Sequence, residues 1–261
     1  MRIALIQMDV TDGDVMANVT KAETFLSDLA AKQPFDVALL PELWTTGYAH
    51  DAWPAVADQH TPSVAAKLQT LSTELNATIG GSMVTRREDG ALVNRFSLTT
   101  PDALPPVTYD KSHLFSPMRE TELLAPGTTR VHTTIGSTQT ALSICYDLRF
   151  PKMYRASAHA GTELFLVVSA WPQPRCAALR TLATARAVEN QAFLALCNRP
   201  GPAADGTHFC GGSMVVSPIG EILLDLGPNE ATGVIDIPPR EVKAVRAMLR
   251  VLGDEVAGVD T

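Results

Sequence analysis

Three residues that could take part in covalent chemistry stand at or near the ends of apolar segments. Glu42 ends the segment VALLPE, Lys111 follows PPVTYD, and Cys145 ends LSIC. In α/β proteins ligands bind outside the carboxyl ends of the strands, so side chains at these ends can meet in one pocket. The sequence therefore predicts that Glu42, Lys111 and Cys145 share a site.

A glutamate, a lysine and a cysteine together suit acyl transfer through a thioester. A thiol must lose its proton to attack a carbonyl carbon, and a buried carboxylate can accept that proton near neutral pH. An ammonium group and the backbone N–H that follows the nucleophile can stabilise the charge on the carbonyl oxygen. Each residue alone is weak evidence, because most strand-end glutamates are solvated and most single cysteines are packing residues.

Composition limits the classes of protein that the chain can belong to. The 261 residues are 46% hydrophobic, which predicts one α/β domain over residues 1–261. A net charge of −7 argues against a nucleic-acid or membrane partner. The first ten residues hold one positive charge and a short apolar run, so we expect no signal peptide. Since the longest apolar run, around residues 165–168, is too short to span a bilayer, we expect a cytoplasmic protein.

The remaining cysteines predict neither a metal site nor a disulfide framework. Cys176, Cys197 and Cys210 form no C-x-x-C pair, and no paired histidine spacing accompanies them. We interpret all three as buried packing residues. The chain also has no glycine-rich nucleotide-binding motif.

Hydrophobic periodicity predicts alternating strands and helices. The predicted helices are Val15–Ala31 with Asp14 as its cap, Thr61–Asn76, Pro151–Ala160, Cys176–Asn190 and Pro239–Leu252. The predicted strands are Arg2–Met8, Phe35–Pro41, Ala77–Val84, Leu92–Thr99, Thr140–Cys145, Leu164–Ala170, Ala192–Asn198, Ser213–Ser217, Glu221–Leu226 and Gly233–Ile237.

Three segments in this order resemble the signature segments of the nitrilase superfamily, the carbon–nitrogen hydrolases. They are LLPELWTTGY (39–48), YDKSHLF (109–115) and CYDLRFP (145–151). TARAVENQAFLALCNR (184–199) and GGSMVVSPIGEIL (211–223) are similar to later segments of that family, so the resemblance covers nearly the whole chain. It implies an α/β fold, a four-layer αββα sandwich.

The resemblance also implies a role for each candidate residue. Glu42 would be the general base and acid, Lys111 the oxyanion stabiliser and Cys145 the nucleophile, with the Tyr146 N–H as a second oxyanion donor. A further glutamate of the family corresponds to Glu120, although Glu122 is close enough to be an alternative. No cofactor or metal is expected. A homodimer or higher homo-oligomer is expected, through the predicted helices that begin at Pro151 and Cys176.

Two segments favour a small amide as the substrate. PELWTTGY and SAWPQPR resemble the omega-amidase branch, which acts on 2-oxoglutaramate-type ω-amides. Because such substrates carry a distant carboxylate, a bidentate arginine is the natural partner. The candidates are Arg149 and Arg175, with the aromatic residues Trp44, Tyr48 and Trp171 as walls of the pocket.

Other interpretations stay open. Arg149 could instead pair with Asp147 or Glu163, and the aromatic residues could be ordinary packing residues. Arg186 and Glu189 are interpreted as a surface or interface pair, and no role is assigned to His113 or His132. After WPQPR the related branch often has a His-Trp pair, whereas this chain has CAALRTL (176–182).

The same triad would also suit a deaminated-glutathione amidase, a nitrilase or an N-carbamoyl hydrolase. A non-catalytic binding protein on the same fold is a further alternative. It is disfavoured because no member of the triad is missing.

Overall fold

The structure, a computed structural model, describes residues 1–256, and for residues 103 and 104 only the backbone. The last five residues of the predicted domain lie outside this range. The strands are β1 Arg2–Gln7, β2 Val37–Leu39, β3 Thr78–Arg86, β4 Leu92–Thr100, β5 Ala103–Asp110, β6 His132–Ile135, β7 Thr138–Ile144, β8 Leu164–Ser169, β9 Phe193–Asn198, β10 Pro200–Pro202, β11 His208–Cys210, β12 Met214–Val216, β13 Ile222–Asp225 and β14 Ala231–Asp236. The helices are α1 Val15–Lys32, α2 Trp53–Gln59, α3 Thr61–Leu75, α4 Glu120–Leu123, α5 Pro151–His159, α6 Cys176–Asn190 and α7 Glu241–Met248.

Twelve of the strands form two six-stranded sheets. The first sheet has the order β14-β1-β2-β3-β4-β5, and the second has the order β13-β12-β9-β8-β7-β6. Strands β1, β2 and β3 are parallel, and β5 runs in the same direction because β4 is antiparallel to both β3 and β5. Strands β7, β8 and β9 are also parallel. The carboxyl ends of β2 and β5 therefore lie at one edge of the first sheet.

The two sheets pack face to face, with helices on their outer faces. In β1, Ile3 and Leu5 belong to the core cluster between the sheets, whereas Ala4 and Ile6 belong to the cluster beneath α1 and α3. This alternation is the two-residue period of a strand that is buried on both faces. Helices α5 and α6 cover the second sheet with buried residues such as Leu179. The fold is the four-layer αββα sandwich that the sequence predicted.

The local signals in the sequence agree with most element boundaries. Helix α6 has the predicted bounds, and α1 begins after Asp14, whose carboxylate accepts the N–H of Ala17 at 3.0 Å. The sequence did not predict β6 or the β10–β11 hairpin. The predicted strand that ended at Cys145 ends at Ile144 instead, because Cys145 begins a tight turn over residues 145–149.

The interpretation of the cysteines was wrong for one pair. Cys176 and Cys210 form a disulfide across 34 positions of sequence. They meet because the segment after β8 bridges to β11 through Pro172 and Phe209, a long-range contact that cysteine spacing does not reveal. Cys197 is a free, buried cysteine, as predicted.

Candidate active site

Glu42 lies three residues after β2 and is fully buried. Its Oε1 accepts hydrogen bonds from Lys111 Nζ and Asn94 Nδ2, both at 2.8 Å. Its Oε2 accepts the backbone N–H of Ala170, just past β8, at 2.8 Å. A buried carboxylate is stable only with such partners, and these come from both sheets.

Lys111 follows β5 and is also fully buried. Its ammonium lies between two carboxylates, 2.8 Å from Glu42 Oε1 and 2.7 Å from Glu120 Oε2. Its backbone is held by Asn94 O, which accepts its N–H, and by Gly127, whose N–H donates to its carbonyl, both at 2.9 Å. A Cβ at Gly127 would lie 2.0 Å from the carbonyl oxygen of Asp110, so only glycine fits this close approach.

The structure distinguishes the two candidate glutamates of the following segment. Glu120 is fully buried at the start of α4, and its carboxylate accepts bonds from Lys111, the Tyr48 hydroxyl at 3.1 Å and the Phe115 N–H at 2.8 Å. Glu122 is exposed and pairs with Arg119 at 3.0 Å. Glu120 is therefore the glutamate that contacts Lys111.

Cys145 stands at the first position of the turn after β7. It is 4% exposed and has a φ of 47°, a left-handed conformation that is uncommon for a non-glycine residue and is often found at functional sites. The buried Asp147 holds the turn, since its carboxylate accepts the N–H of Ile144 at 2.9 Å and the Tyr109 hydroxyl at 2.7 Å. Tyr146 follows at a first-turn position, where a backbone N–H has no acceptor inside the turn.

The charges of the cluster act on its titratable groups. Burial raises the pKa of the Cys145 thiol well above its ordinary value, and the nearby Glu42 raises it further. Burial alone would lower the pKa of Lys111, but the attraction of Glu120 and Glu42 outweighs it and raises that pKa well above the ordinary value. Burial also raises the pKa of Glu120, which Lys111 partly offsets. Lys111 therefore stays an ammonium at neutral pH, and Cys145 rests as a thiol.

A narrow cavity opens onto Cys145, with a volume of about 10 Å³. Its lining residues are Phe115, Cys145, Tyr146, Arg149, Trp171, Pro172 and Arg175. The Arg149 guanidinium lies 5.1 Å from the centre of the Trp171 ring, and the Arg175 guanidinium lies 5.5 Å from the centre of the Phe115 ring. Four predicted residues thus line this cavity together with Cys145: Tyr146, Arg149, Trp171 and Arg175.

Neither arginine of the cavity forms an ion pair with a carboxylate in residues 1–256. Asp147, a suggested partner of Arg149, is instead bonded by Tyr109, Ile144 and His113. Both guanidinium groups can therefore receive a carboxylate from outside the chain.

Two aromatic residues lie elsewhere than predicted. Trp44 is 1% exposed and packs in the core under α1 and α3, away from the cavity, so its prediction as a wall of the pocket was wrong. Tyr48 does not line the cavity either; its hydroxyl contacts Glu120 and its ring packs 6.1 Å from that of Phe209. Both residues lie in the turn that follows β2, where no strand or helix period indicates on which side a ring packs.

Several residues that support the site were not predicted from the sequence. Asn94 in β4 and Phe115 each donate a hydrogen bond to one of the two buried glutamates. His113, to which no role was assigned, donates its N–H to Asp147 at 3.1 Å and places Nδ1 2.8 Å from the same carboxylate. A polar residue inside a strand was the only available signal for Asn94.

The interpretation of Arg186 as a surface or interface residue was also wrong. Arg186 is 5% exposed, and its Nε donates to the carbonyl of Leu148, in the turn of Cys145, at 2.9 Å. It also pairs with Glu189 at 2.7 Å. The pair therefore holds the nucleophile turn against α6.

The sequence of nearly the whole chain matches a known protein family and a known relative. Residues 2–247 match the family described as carbon-nitrogen hydrolase, so the chain belongs to the carbon–nitrogen hydrolase family. It is 31% identical to a 2-oxoglutaramate amidase of Bacillus subtilis (strain 168), over 97% of this chain and 96% of that protein.

Two solved structures are similar over nearly the whole chain. A CN-hydrolase superfamily protein from Xanthomonas campestris, with an arsenic adduct in its active site, has a TM-score of 0.91 and 31% identity and covers 99% of this chain and 98% of its own. An amidase from Nesterenkonia sp. AN1, with acrylamide added at its active-site cysteine, has a TM-score of 0.84 and 30% identity. That likeness covers 96% of this chain and 98% of the other.

Within residues 1–256 no group of three histidine, cysteine or acidic side chains could hold a metal ion. In the same range no helix is long and apolar enough to cross a bilayer.

Proposed function

We propose that this protein is a cysteine-dependent amidase that hydrolyses the ω-amide of a small 2-oxo dicarboxylate monoamide, such as 2-oxoglutaramate, to the acid and ammonia. The observation that carries the proposal is the cavity that joins Cys145 to two arginines without carboxylate partners. The buried cluster of Glu42, Lys111 and Glu120 supplies the proton transfer and charge stabilisation that this reaction needs.

The first half of the reaction forms a thioester. Cys145 rests as a thiol, so its proton passes to Glu42 as Sγ attacks the amide carbon. The ammonium of Lys111 and the N–H of Tyr146 stabilise the negative charge on the carbonyl oxygen. When the tetrahedral intermediate collapses, the carbon–nitrogen bond breaks and Glu42 gives its proton to the departing ammonia.

The second half returns the enzyme to its starting state. Glu42, again a carboxylate, takes a proton from a water molecule that attacks the thioester carbon. The carbon–sulfur bond breaks, the acid is released and the Cys145 thiol regains a proton. One water molecule is consumed for each amide, and Lys111 neither gains nor loses a proton, because the attraction of Glu120 raises its pKa well above the ordinary value.

The charge of the cavity supports a substrate with a distant carboxylate. The cavity volume is about 10 Å³, room for about one water molecule, so the side chains that line it must move apart to admit an amide. Arg149 or Arg175 can bind a carboxylate bidentately, while their stacking on Trp171 and Phe115 limits the motion of the guanidinium groups. The likeness to a 2-oxoglutaramate amidase of Bacillus subtilis supports the same substrate class.

The test is ammonia release from 2-oxoglutaramate and from glutamine, measured side by side. We expect rapid release from the oxo-acid amide and much slower release from glutamine, whose α-ammonium group the two arginines repel. Cys145→Ala should abolish release, whereas Cys197→Ala should keep it, because Cys197 is buried in β9 outside the site. An active Cys145→Ala protein that is correctly folded would refute the mechanism. Failure of the wild-type protein to act on either amide would refute the substrate.

Three further expectations belong to the proposal and rest on the sequence alone. They are a single domain over residues 1–261, a cytoplasmic location, and a homodimer or higher homo-oligomer formed through α5 and α6, which the resemblance to the family implies. Sedimentation of the purified protein tests the dimer, and cell fractionation tests the location.

A further inference from the structure

The disulfide between Cys176 and Cys210 lies beside the cavity of Cys145. Cys176 is the first residue of α6 and directly follows Arg175, which lines the cavity. Cys210 is the last residue of β11, and its backbone N–H donates to the carbonyl of Trp171 at 2.9 Å. Cys210 is thus tied to both ends of the segment 171–176, which forms one wall of the cavity.

The same disulfide joins two of the segments that line an open groove beside the cavity. These segments are residues 172–175 and residues 206–208 of the β10–β11 hairpin, and Phe115, Pro117 and Met118 line the rest of the groove. The groove shares Phe115, Pro172 and Arg175 with the cavity. Because Cys176 directly follows the first segment and Cys210 lies two residues after the second, the disulfide limits how far the two segments can separate.

The surroundings of the two sulfur atoms suit both the bonded and the reduced state. Cys176 is partly exposed, whereas Cys210 is 7% exposed, so Cys176 is the more accessible residue of the pair for a small thiol. Cys210 Sγ lies 3.4 Å from the carbonyl of Pro172, which is an acceptor for the thiol once the bond is broken. Cys176 opens a 15-residue helix, whose N-terminus stabilises an anionic sulfur.

We propose that Cys176 and Cys210 are a reversible thiol–disulfide modification site whose reaction partners are low-molecular-weight thiols and disulfides. In reduction, a small thiolate attacks Cys176 Sγ, the bond to Cys210 breaks, and Cys210 takes a proton. A second small thiolate attacks the mixed disulfide and frees Cys176, so two electrons pass from two thiols to the pair and one small disulfide is released. Oxidation is the reverse, with a small disulfide as the oxidant.

Residues 171–176 are better ordered when the Cys176–Cys210 disulfide is formed than when it is reduced. The consequence for substrate binding rests on the proposed function. Without the bond, residues 171–176 keep the hydrogen bonds of Trp171 to Cys210 and Asn198 but lose the covalent anchor at Cys176. Reduction is therefore expected to raise KM by about 2- to 12-fold, the cost of ordering one side chain on binding. The constant kcat stays within about twofold, because Glu42, Lys111 and Cys145 are held by other contacts.

The modification itself is tested without any substrate. The folded protein is equilibrated in glutathione buffers of different thiol-to-disulfide ratios and quenched in acid, and its peptides are mapped by mass spectrometry. We expect a linked 176–210 peptide pair in the oxidising buffers that disappears and reappears as the ratio is changed. A pair that never links, or that native reduction never opens, overturns the proposal.

The effect on binding is tested by measuring KM in the oxidised and reduced states. Cys176→Ser and Cys210→Ser should show the KM of the reduced wild-type protein in both buffers, while Cys197→Ser should respond like the wild-type protein. Equal KM values for the two wild-type states would overturn the effect on the wall. A response that persists in both Cys176→Ser and Cys210→Ser would also overturn it, because the response would then arise at Cys145.

If the amide proves not to be a substrate, the rate at which iodoacetate alkylates Cys145, followed by peptide mass, replaces KM. Its carboxylate meets the same arginines, so we expect this rate to fall on reduction in the wild-type protein and in Cys197→Ser, but not in Cys176→Ser or Cys210→Ser. An unchanged rate contradicts the proposed effect whether or not the proposed function is correct.

Discussion

Replacing Glu120 by glutamine tests whether the second buried carboxylate positions Lys111. In the native site the Glu120 carboxylate accepts hydrogen bonds from three donors: the Lys111 ammonium, the Tyr48 hydroxyl and the Phe115 N–H. A glutamine keeps the size of the side chain but presents an NH₂ group in place of one oxygen. In either orientation of the amide, one of these donors faces another donor instead of an acceptor.

The structure sets the magnitude of this effect. A buried donor that loses its acceptor costs about 1–3 kcal/mol. If that cost falls on the position of Lys111 in the transition state, kcat drops by about 5- to 150-fold. KM should change little, because Glu120 is fully buried and does not line the cavity. The melting temperature should fall by about 2–12 °C, which follows from the same free energy for a chain of this size.

The pH profile separates a positioning role from a purely structural one. Glu120 helps to raise the pKa of Lys111, so its removal lowers that pKa. The alkaline limit of kcat, where Lys111 loses its proton, should therefore move to lower pH in Glu120→Gln. A mutation that only loosened the fold would lower the melting temperature without moving this limit.

Glu122→Gln is the matched control, since Glu122 is two residues away and exposed. Steady-state ammonia release, measured from pH 6 to about pH 11 for the wild-type protein and both variants, is the assay, because the wild-type pKa of Lys111 lies above the ordinary value of about 10.4. Wild-type kcat and an unshifted alkaline limit in Glu120→Gln would refute the reasoning. An equal loss of kcat in both variants would refute it as well.

Three further predictions concern the rest of the site. Arg149→Gln removes a guanidinium that has no carboxylate partner in the described structure, so the melting temperature should stay unchanged. KM for the oxo-acid amide should rise by about 10- to 150-fold, which corresponds to the loss of a hydrogen bond to a charged group. An unchanged KM would assign the substrate carboxylate to Arg175. Gly127→Ala places a Cβ 2.0 Å from Asp110 O and should lower the free energy of unfolding by about 1–3 kcal/mol and kcat with it, which denaturant unfolding and ammonia release would measure; wild-type values for both would contradict the close approach. The pKa of Cys145 is higher in the folded than in the unfolded state. The stability of the wild-type protein should therefore fall relative to that of Cys145→Ala as pH rises above the ordinary thiol pKa of about 8.5, by up to about 1.4 kcal/mol per pH unit. A constant difference in the free energy of unfolding would contradict the raised pKa.

Glu42, Lys111 and Cys145 were predictable because each stands at or near the end of an apolar strand, whereas Glu120, at the start of α4, was predictable only from the resemblance to the family. Glu42 and Lys111 follow β2 and β5, which run in the same direction in one sheet, so their ends meet at one edge. Cys145 follows β7 of the other sheet. The sandwich brings the two edges together, and that step could be predicted only from the resemblance to a family and not from strand patterns.

The partners of these residues could not be predicted, because they come from distant parts of the chain. The bond from Ala170 N–H to Glu42 spans 128 positions, and the disulfide spans 34. Local periodicity reports which residues are buried but not which buried residues touch. Trp44 shows the same limit, since an aromatic residue two positions after Glu42 packs in a different core from the cavity.

The burial of these ionisable side chains limits which amino-acid substitutions the site tolerates. The ammonium of Lys111 lies between the carboxyl groups of Glu42 and Glu120 in the interior, and four other donors from separate elements help to hold them: Tyr48, Asn94, Phe115 and Ala170. Apolar residues of similar volume could pack here as well or better, because desolvation of a buried ion pair often exceeds its attraction. Removing one member, however, leaves a buried charge or donor without its partner. Loss of a single member therefore costs both stability and the proposed reaction, which favours retention of the whole set.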